Sequence, residues 1–241
     1  MRRGAALLSA LALLGLTALA ALTEAPAAAR SRSAEVMQRR LRKLCGGGSA
    51  RFGFGYARVL DSERAGGVGH LGSFSVGARG ALGWRLAWGP AIDASVGWSY
   101  RSAFAYQFDL LPAAVAVRLG ARGMLGVAAG GGLSAAYDRI PFSWQVPAEL
   151  WLEQDLGGRV RVALSARASW LSDDARQDGS RFDRLAVDEL AAQLGLRFGR
   201  RYRMMNTLVG SGYEVSLGYR ELMGTRMLLL GFGFHLSGAT P

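Results

Sequence analysis

Two histidines, one cysteine and a scatter of serines are what this chain offers for a nucleophilic or metal-based site. His235 and Ser237 stand two residues apart, which puts them on one face of a strand, and His70 and Ser73 would point to opposite faces. A general base needs hydrogen-bond reach to its proton and a third group to hold its ring. No acid follows His235, so a lipid hydrolase built on His235 and Ser237 stands only as the catalytic alternative. Cys45 is the single cysteine, which rules out an intramolecular disulfide, and neither histidine has a thiol or carboxylate pair at ligand spacing. Gly130-Gly131-Gly132 opens no helix, so it reads as close backbone approach and not as a phosphate cradle. No enzymatic activity, metal or cofactor is expected.

The charges are more numerous and better ordered. The 241 residues hold 29 basic against 18 acidic side chains, a formal charge of +11, and Lys43 is the only lysine. Many of these charges recur at alternate positions between apolar residues. Ile92, Ala94, Val96, Trp98 and Tyr100 alternate with Asp93, Ser95, Gly97, Ser99 and Arg101. Val160, Val162, Leu164, Ala166, Ala168 and Trp170 alternate with Arg161, Ala163, Ser165, Arg167 and Ser169. Runs from Leu190 to Phe198, Tyr213 to Tyr219 and Leu228 to Leu236 repeat the plan. A two-residue period sends alternate side chains to opposite faces of a strand.

The second face decides the class. It is mostly Gly, Ala and Ser, with Arg, Asp and Glu spaced among them, which suits a narrow lumen whose charges pair across it. The fold class predicted is all-β: a closed antiparallel transmembrane β-barrel, apolar outside and polar inside. About ten strands are expected, near 51–60, 67–88, 91–101, 103–119, 123–137, 143–155, 159–171, 187–199, 211–220 and 225–236, with eight or twelve as alternatives. The lumen charges predicted are Arg85, Asp93, Arg101, Asp109, Arg118, Glu149, Glu153, Arg161, Arg167, Glu189, Arg197, Glu214 and Arg220. They line a selective pore or, as favoured here, fill the lumen as salt bridges, since small barrels are just wide enough for side chains. Trp88, Trp98, Tyr100, Phe104, Trp144, Trp170 and Tyr219 fall at strand ends on the outer face, where aromatic girdles belong.

The turns sort by length. Gly89-Pro90-Ala91, 120–123 and 156–158 read as short periplasmic turns, and Asp61–Gly66, Asp138–Phe142 and Ser172–Ala186 as outer loops. Residues 200–210 are long for a periplasmic turn. The domain plan is a signal peptide over 1–29, a basic leader over 30–50, the barrel over 51–236 and a tail over 237–241. Residues 1–29 show a basic start, an uncharged Ala/Leu stretch from Ala5 to Leu22 and the small-residue run Ala27-Ala28-Ala29. The segment Arg30–Lys43 is either a short amphipathic helix on the inner leaflet or a disordered leader.

On the signal peptide, the alternation through 51–236 and the aromatic-rich run Leu228–Leu236, the chain resembles the small outer-membrane β-barrel proteins of Gram-negative bacteria. The resemblance implies a place in the outer membrane and assembly by the barrel-assembly machinery, which accepts clients by such a last strand. Ser237-Gly238-Ala239-Thr240-Pro241 departs from it, because such strands usually end the chain on an aromatic. The expected function is an integral outer-membrane barrel, porin-like in architecture, structural or weakly pore-forming, in contact with outer-membrane lipids. Nucleic acid is a poor partner for an exported chain, and the oligomeric state is left open.

Overall fold

The computed structural model describes residues 46–63, 65, 67–82, 86–99, 104–119, 123–136, 140–157, 159–172, 187–204 and 207–240. The segment 1–45, the stretch 173–186, and Arg85, Tyr100 and Arg101 lie outside them. Ten strands follow one another: β1 (Gly46–Val59), β2 (His70–Leu82), β3 (Leu86–Trp98), β4 (Phe104–Leu119), β5 (Gly123–Ala136), β6 (Ile140–Gly157), β7 (Val160–Leu171), β8 (Glu189–Met204), β9 (Thr207–Leu222) and β10 (Thr225–Thr240). Each is antiparallel to its chain neighbour, and β1 pairs with β10 from Gly46↔Thr240 to Val59↔Met227, so the sheet closes on itself. Followed through β2, β3 and β4, the row of Phe54 reaches β5 at Ala135; followed through β10 to β6, it arrives at Gly123. That stagger of twelve positions, from Gly123 to Ala135, goes with strands tilted by roughly 35–45°. Among the described residues no helix is long and apolar enough to cross a membrane, which says nothing of a barrel.

The alternation sets which face looks where. Phe54, Trp88, Trp144 and Leu217 are 65%, 58%, 65% and 62% exposed on the outside. One outward row, Tyr56–Leu230–Leu217–Leu194–Leu164–Leu152–Leu125, carries an apolar side chain on seven adjacent strands. Buried side chains point into the barrel and form two apolar clusters. One gathers Ala57, Val59, Leu71, Leu171, Leu222 and Met227 near the end with the two longest connections, and Ala65 and Val68 of the β1–β2 loop pack onto it. The other gathers Ala91, Leu111, Ala114, Ala116, Ala128 and Trp151.

The strand number agrees with expectation, but several boundaries do not. The stretch 67–88 is not one strand: β2 ends at Leu82 and β3 starts at Leu86. Leu82 and Leu86 both face outward, so a three-residue connection preserves the even phase and hides the turn. Gly89-Pro90-Ala91 is no turn either; it runs inside β3, opposite an extra residue that bulges β4 between Leu110 and Ala113. Pro112, with no N–H to give, stands in that bulge. The bulge also shifts phase, which lets odd-numbered Asp109 and even-numbered Arg118 share the inner face of β4. Residues 200–210, expected as a long connection, continue β8 to Met204 and begin β9 at Thr207. Strand pairing further claims 46–50 from the expected leader and 237–240 from the expected tail. At the other end, Met223 and Gly224 form a two-residue turn with φ of 46° and 78°, the hand that suits a twisted hairpin.

Inside the barrel Gly126 lies opposite Trp151 on the β5–β6 pair, and a Cβ there would stand 2.1 Å from indole Cζ2. Gly126→Ala is therefore expected to destabilise the fold by about 1–3 kcal/mol through overpacking. A urea midpoint equal to that of the parent chain would contradict this packing.

Candidate functional site

Most of the charges pointing inward form three connected groups. Nearest the long-loop end a ring of side chains from β4, β7, β8 and β9 closes on itself. Arg167 Nη1 donates to Asp109 Oδ2 at 2.6 Å and Nε to Glu189 Oε2 at 3.2 Å. Arg220 pairs with Glu189 Oε1 at 2.8 Å and donates to Gln107 Oε1 at 3.2 Å, and Gln107 returns to Asp109 at 3.0 Å. Gln145 and Ser169 supply further donors, at 2.6 Å to Asp109 and 2.8 Å to Glu189. The two carboxylates are only 1% and 2% exposed, and donors from several strands surround each.

The second group joins β1, β2, β3 and β6. Arg51 meets Asp93 at 2.7 Å, and Arg79 stands 3.9 Å from the same carboxylate. Arg79 Nη2 also lies 2.6 and 2.7 Å from the two oxygens of Glu149, and its guanidinium sits 4.4 Å over the Trp151 ring. In the third group, toward the short-turn end, Arg197 holds Glu153 through Nη1 and Glu214 through Nε, each at 2.5 Å. Arg118 and Arg161 occupy inward positions on β4 and β7.

Each group lies over a glycine. A Cβ on Gly132 would be 2.2 Å from Asp109 Oδ1, on Gly77 2.4 Å from Asp93 Oδ1, and on Gly195 2.9 Å from Glu214 Oε1. Glycine on the neighbouring strand leaves the room into which a long charged side chain folds. A cavity of about 280 Å³ remains beside the first ring, lined by Ser73, Ser75, Ser95, Gln107 and Gln193 among others.

Of the lumen charges read from sequence, Asp93, Asp109, Glu149, Glu153, Arg167, Glu189, Arg197, Glu214 and Arg220 are drawn into these groups. Arg85 and Arg101 lie outside the described residues. Sequence reasoning overlooked Arg51 and Arg79. Both share the phase of inward glycines, Gly53 and Gly77, and that signal was enough to place them. Trp88, Trp98, Trp144, Trp170 and Tyr219 sit on outward positions, whereas Tyr100 and the Phe104 side chain lie outside the described residues. His235 points inward, 7% exposed, with Nδ1 unpartnered, and no carboxylate orients its ring through that nitrogen. Among the described residues no three His, Cys, Asp or Glu side chains gather as a metal site.

No family model matches the chain, and no curated protein does. Solved structures similar to it are barrels. The β domain of the Bordetella autotransporter BrkA is 12% identical with a TM-score of 0.47, over 81% of this chain and 99% of that one. The attachment invasion locus protein Ail of Yersinia pestis is 12% identical with a TM-score of 0.35, over 80% and 99%. An outer-membrane channel from Pseudomonas putida F1 is 16% identical with a TM-score of 0.39, over 82% and 95%. At such identities and scores, function has to be argued from this chain's own geometry.

Arg167→Met would leave Asp109 without its cation and Glu189 with Arg220 alone, at an expected cost of about 3–5 kcal/mol. Arg226→Gln, which breaks the exposed rim pair with Asp61, should cost distinctly less, because solvent screens that pair. Parallel urea titrations compare the two, and equal losses would refute the buried network.

Proposed function

We propose that the chain is an integral outer-membrane β-barrel, non-enzymatic, whose lumen is plugged by its own ion pairs. One observation carries this reading: on a closed barrel the side chains are distributed inside out, with rows of Leu, Val and Phe outward and Arg–carboxylate groups inward. In water that exterior would be an association surface well beyond the few hundred Å² a soluble monomer exposes. In a bilayer it meets hydrocarbon, and closure leaves no strand edge unpaired.

Supporting features fall at consistent heights. Trp98, Trp144, Trp170 and Tyr219 stand near the long-loop ends of their strands and Trp88 near the short-turn end, the arrangement of two interfacial girdles. The strand ends Val59, His70, Leu171 and Glu189 then face the outside, and Gly46 and Thr240 face the periplasm. Assembly by the barrel-assembly machinery belongs to the same proposal, supported by the aromatic-rich β10, whose Phe232 and Phe234 are outward. A buried His235 with an unpartnered Nδ1 argues against hydrolysis of lipid by His235 and Ser237.

A small selective pore is the second reading, favoured by the cavity of about 280 Å³. Reconstitution in planar bilayers separates the two. The plugged barrel is expected to stay in the membrane fraction through alkaline carbonate washing and to give no sustained conductance steps. Steady steps would replace the plug with the pore. Release into the soluble fraction would overturn the membrane assignment itself, and an altered lipid profile that His235→Ala abolishes would restore the enzyme.

A further inference from the structure

Arg58 belongs to none of the lumen groups and is not held by a carboxylate on the rim. Arg58 points away from the lumen near the long-loop end of β1, is exposed, and forms no ion pair among the described residues. Arg226, on the neighbouring β10, is by contrast clamped by Asp61 at 2.8 and 2.7 Å. What holds Arg58 is a ring. Its Nη1 donates to Nε2 of His70, its paired residue on β2, at 2.5 Å. A guanidinium has no acceptor, so Nε2 must accept and Nδ1 must carry the ring proton. Nδ1 then donates to the hydroxyl of Tyr56, which leaves the phenol its own proton to give. The remaining guanidinium N–H groups and the Tyr56 O–H are thus pre-positioned donors on the outside of the barrel, and binding would cost little further side-chain ordering.

Their height on the wall identifies the acceptor. One row nearer the middle of the barrel, Tyr56, Gly72 and Trp98 lie side by side across β1, β2 and β3. The next row is Phe54, Phe74 and Val96, and Leu228 flanks Arg58 on β10. A ligand seated here meets a cation and a hydroxyl at its head and an unbroken apolar wall along its body. We infer that Arg58, positioned by His70 and joined by Tyr56, is an exterior site for the phosphate ester of an outer-leaflet lipid. The inference rests on the outer-membrane reading above, because only that orientation brings such headgroups to this rim.

The test uses the full chain in non-ionic detergent, offered a bisphosphorylated glycolipid or the same lipid after phosphatase treatment, with retained lipid counted by native mass spectrometry. The phosphorylated form should be retained and the dephosphorylated form lost. Arg58→Gln should weaken retention about tenfold, the equivalent of roughly 1.4 kcal/mol for one charge-assisted hydrogen bond. Tyr56→Phe should weaken it by a smaller factor, and Arg159→Gln, an exposed arginine at the opposite end, should leave it unchanged. Heat-modifiable migration confirms that each variant is a folded barrel. Equal retention by Arg58→Gln, or of the dephosphorylated lipid, overturns the site. Displacement of the lipid by millimolar inorganic phosphate alone overturns the lipid assignment in favour of free phosphate. A wild-type chain that stays soluble without detergent overturns the membrane reading and the site with it, whereas a detergent-borne barrel indifferent to phosphate overturns the site alone.

Discussion

Everything in this structure depends on the pairing of β1 with β10. Without it, two strands of fourteen and sixteen residues would present unpaired N–H and C=O groups along their whole length. Where no water can reach, each such group costs a few kcal/mol, so an open sheet of this exterior has no environment in which it is stable. The register Gly46↔Thr240 through Val59↔Met227 removes both edges at once. Closure also fixes an inside, and only then does the two-residue period of each strand acquire a meaning: the same alternation that would be half-solvated in a flat sheet becomes lipid face and lumen face.

The lumen in turn explains the composition. A barrel of ten strands is narrow, and an arginine pointing into it competes for space with its neighbours. The glycines and serines of the inner face are the counterpart of the charges. Gly77 sits under the Arg51–Asp93 contact, Gly132 under Asp109 and Gly195 under Glu214. Chains rich in both glycine and arginine invite a nucleic-acid reading. Here the glycines make the space, and most of the inward arginines fill it against carboxylates drawn from other strands.

Much of this was legible from residue order, and the remainder was hidden for definable reasons. Alternation gave the strand number, the phase of nearly every strand and most of the inward charges, because face is a local property of a strand. It could not see that β2 ends at Leu82 and β3 begins at Leu86, since the two residues have the same parity. It mistook Gly89-Pro90 for a turn, because proline punctuates edges and bulges as well as loops, and the bulge lies on the partner strand. Pairing was out of reach altogether. Arg79 and Glu149 are 70 residues apart, and Asp109 faces Asp93 across β3–β4 yet is satisfied by Arg167, 58 residues away. Those partners follow from closure and stagger, which no single strand encodes.

The energetics of the ion pairs bear directly on whether the barrel conducts. An ion or solute passing through the first ring itself would have to move Arg167 off Asp109 and Glu189, both nearly inaccessible. If exposing such a pair costs about 3–5 kcal/mol, the opened arrangement is populated at roughly one part in 10² to 10⁴. The second and third groups share no side chain with the first, so their opening costs add where the groups are far enough apart. The apolar cluster around Leu171 and Met227 adds a buried apolar layer near the long-loop end. A lumen arranged in this way is a core, differing from that of a soluble domain mainly in being held by charge where lipid has claimed the hydrophobic side chains.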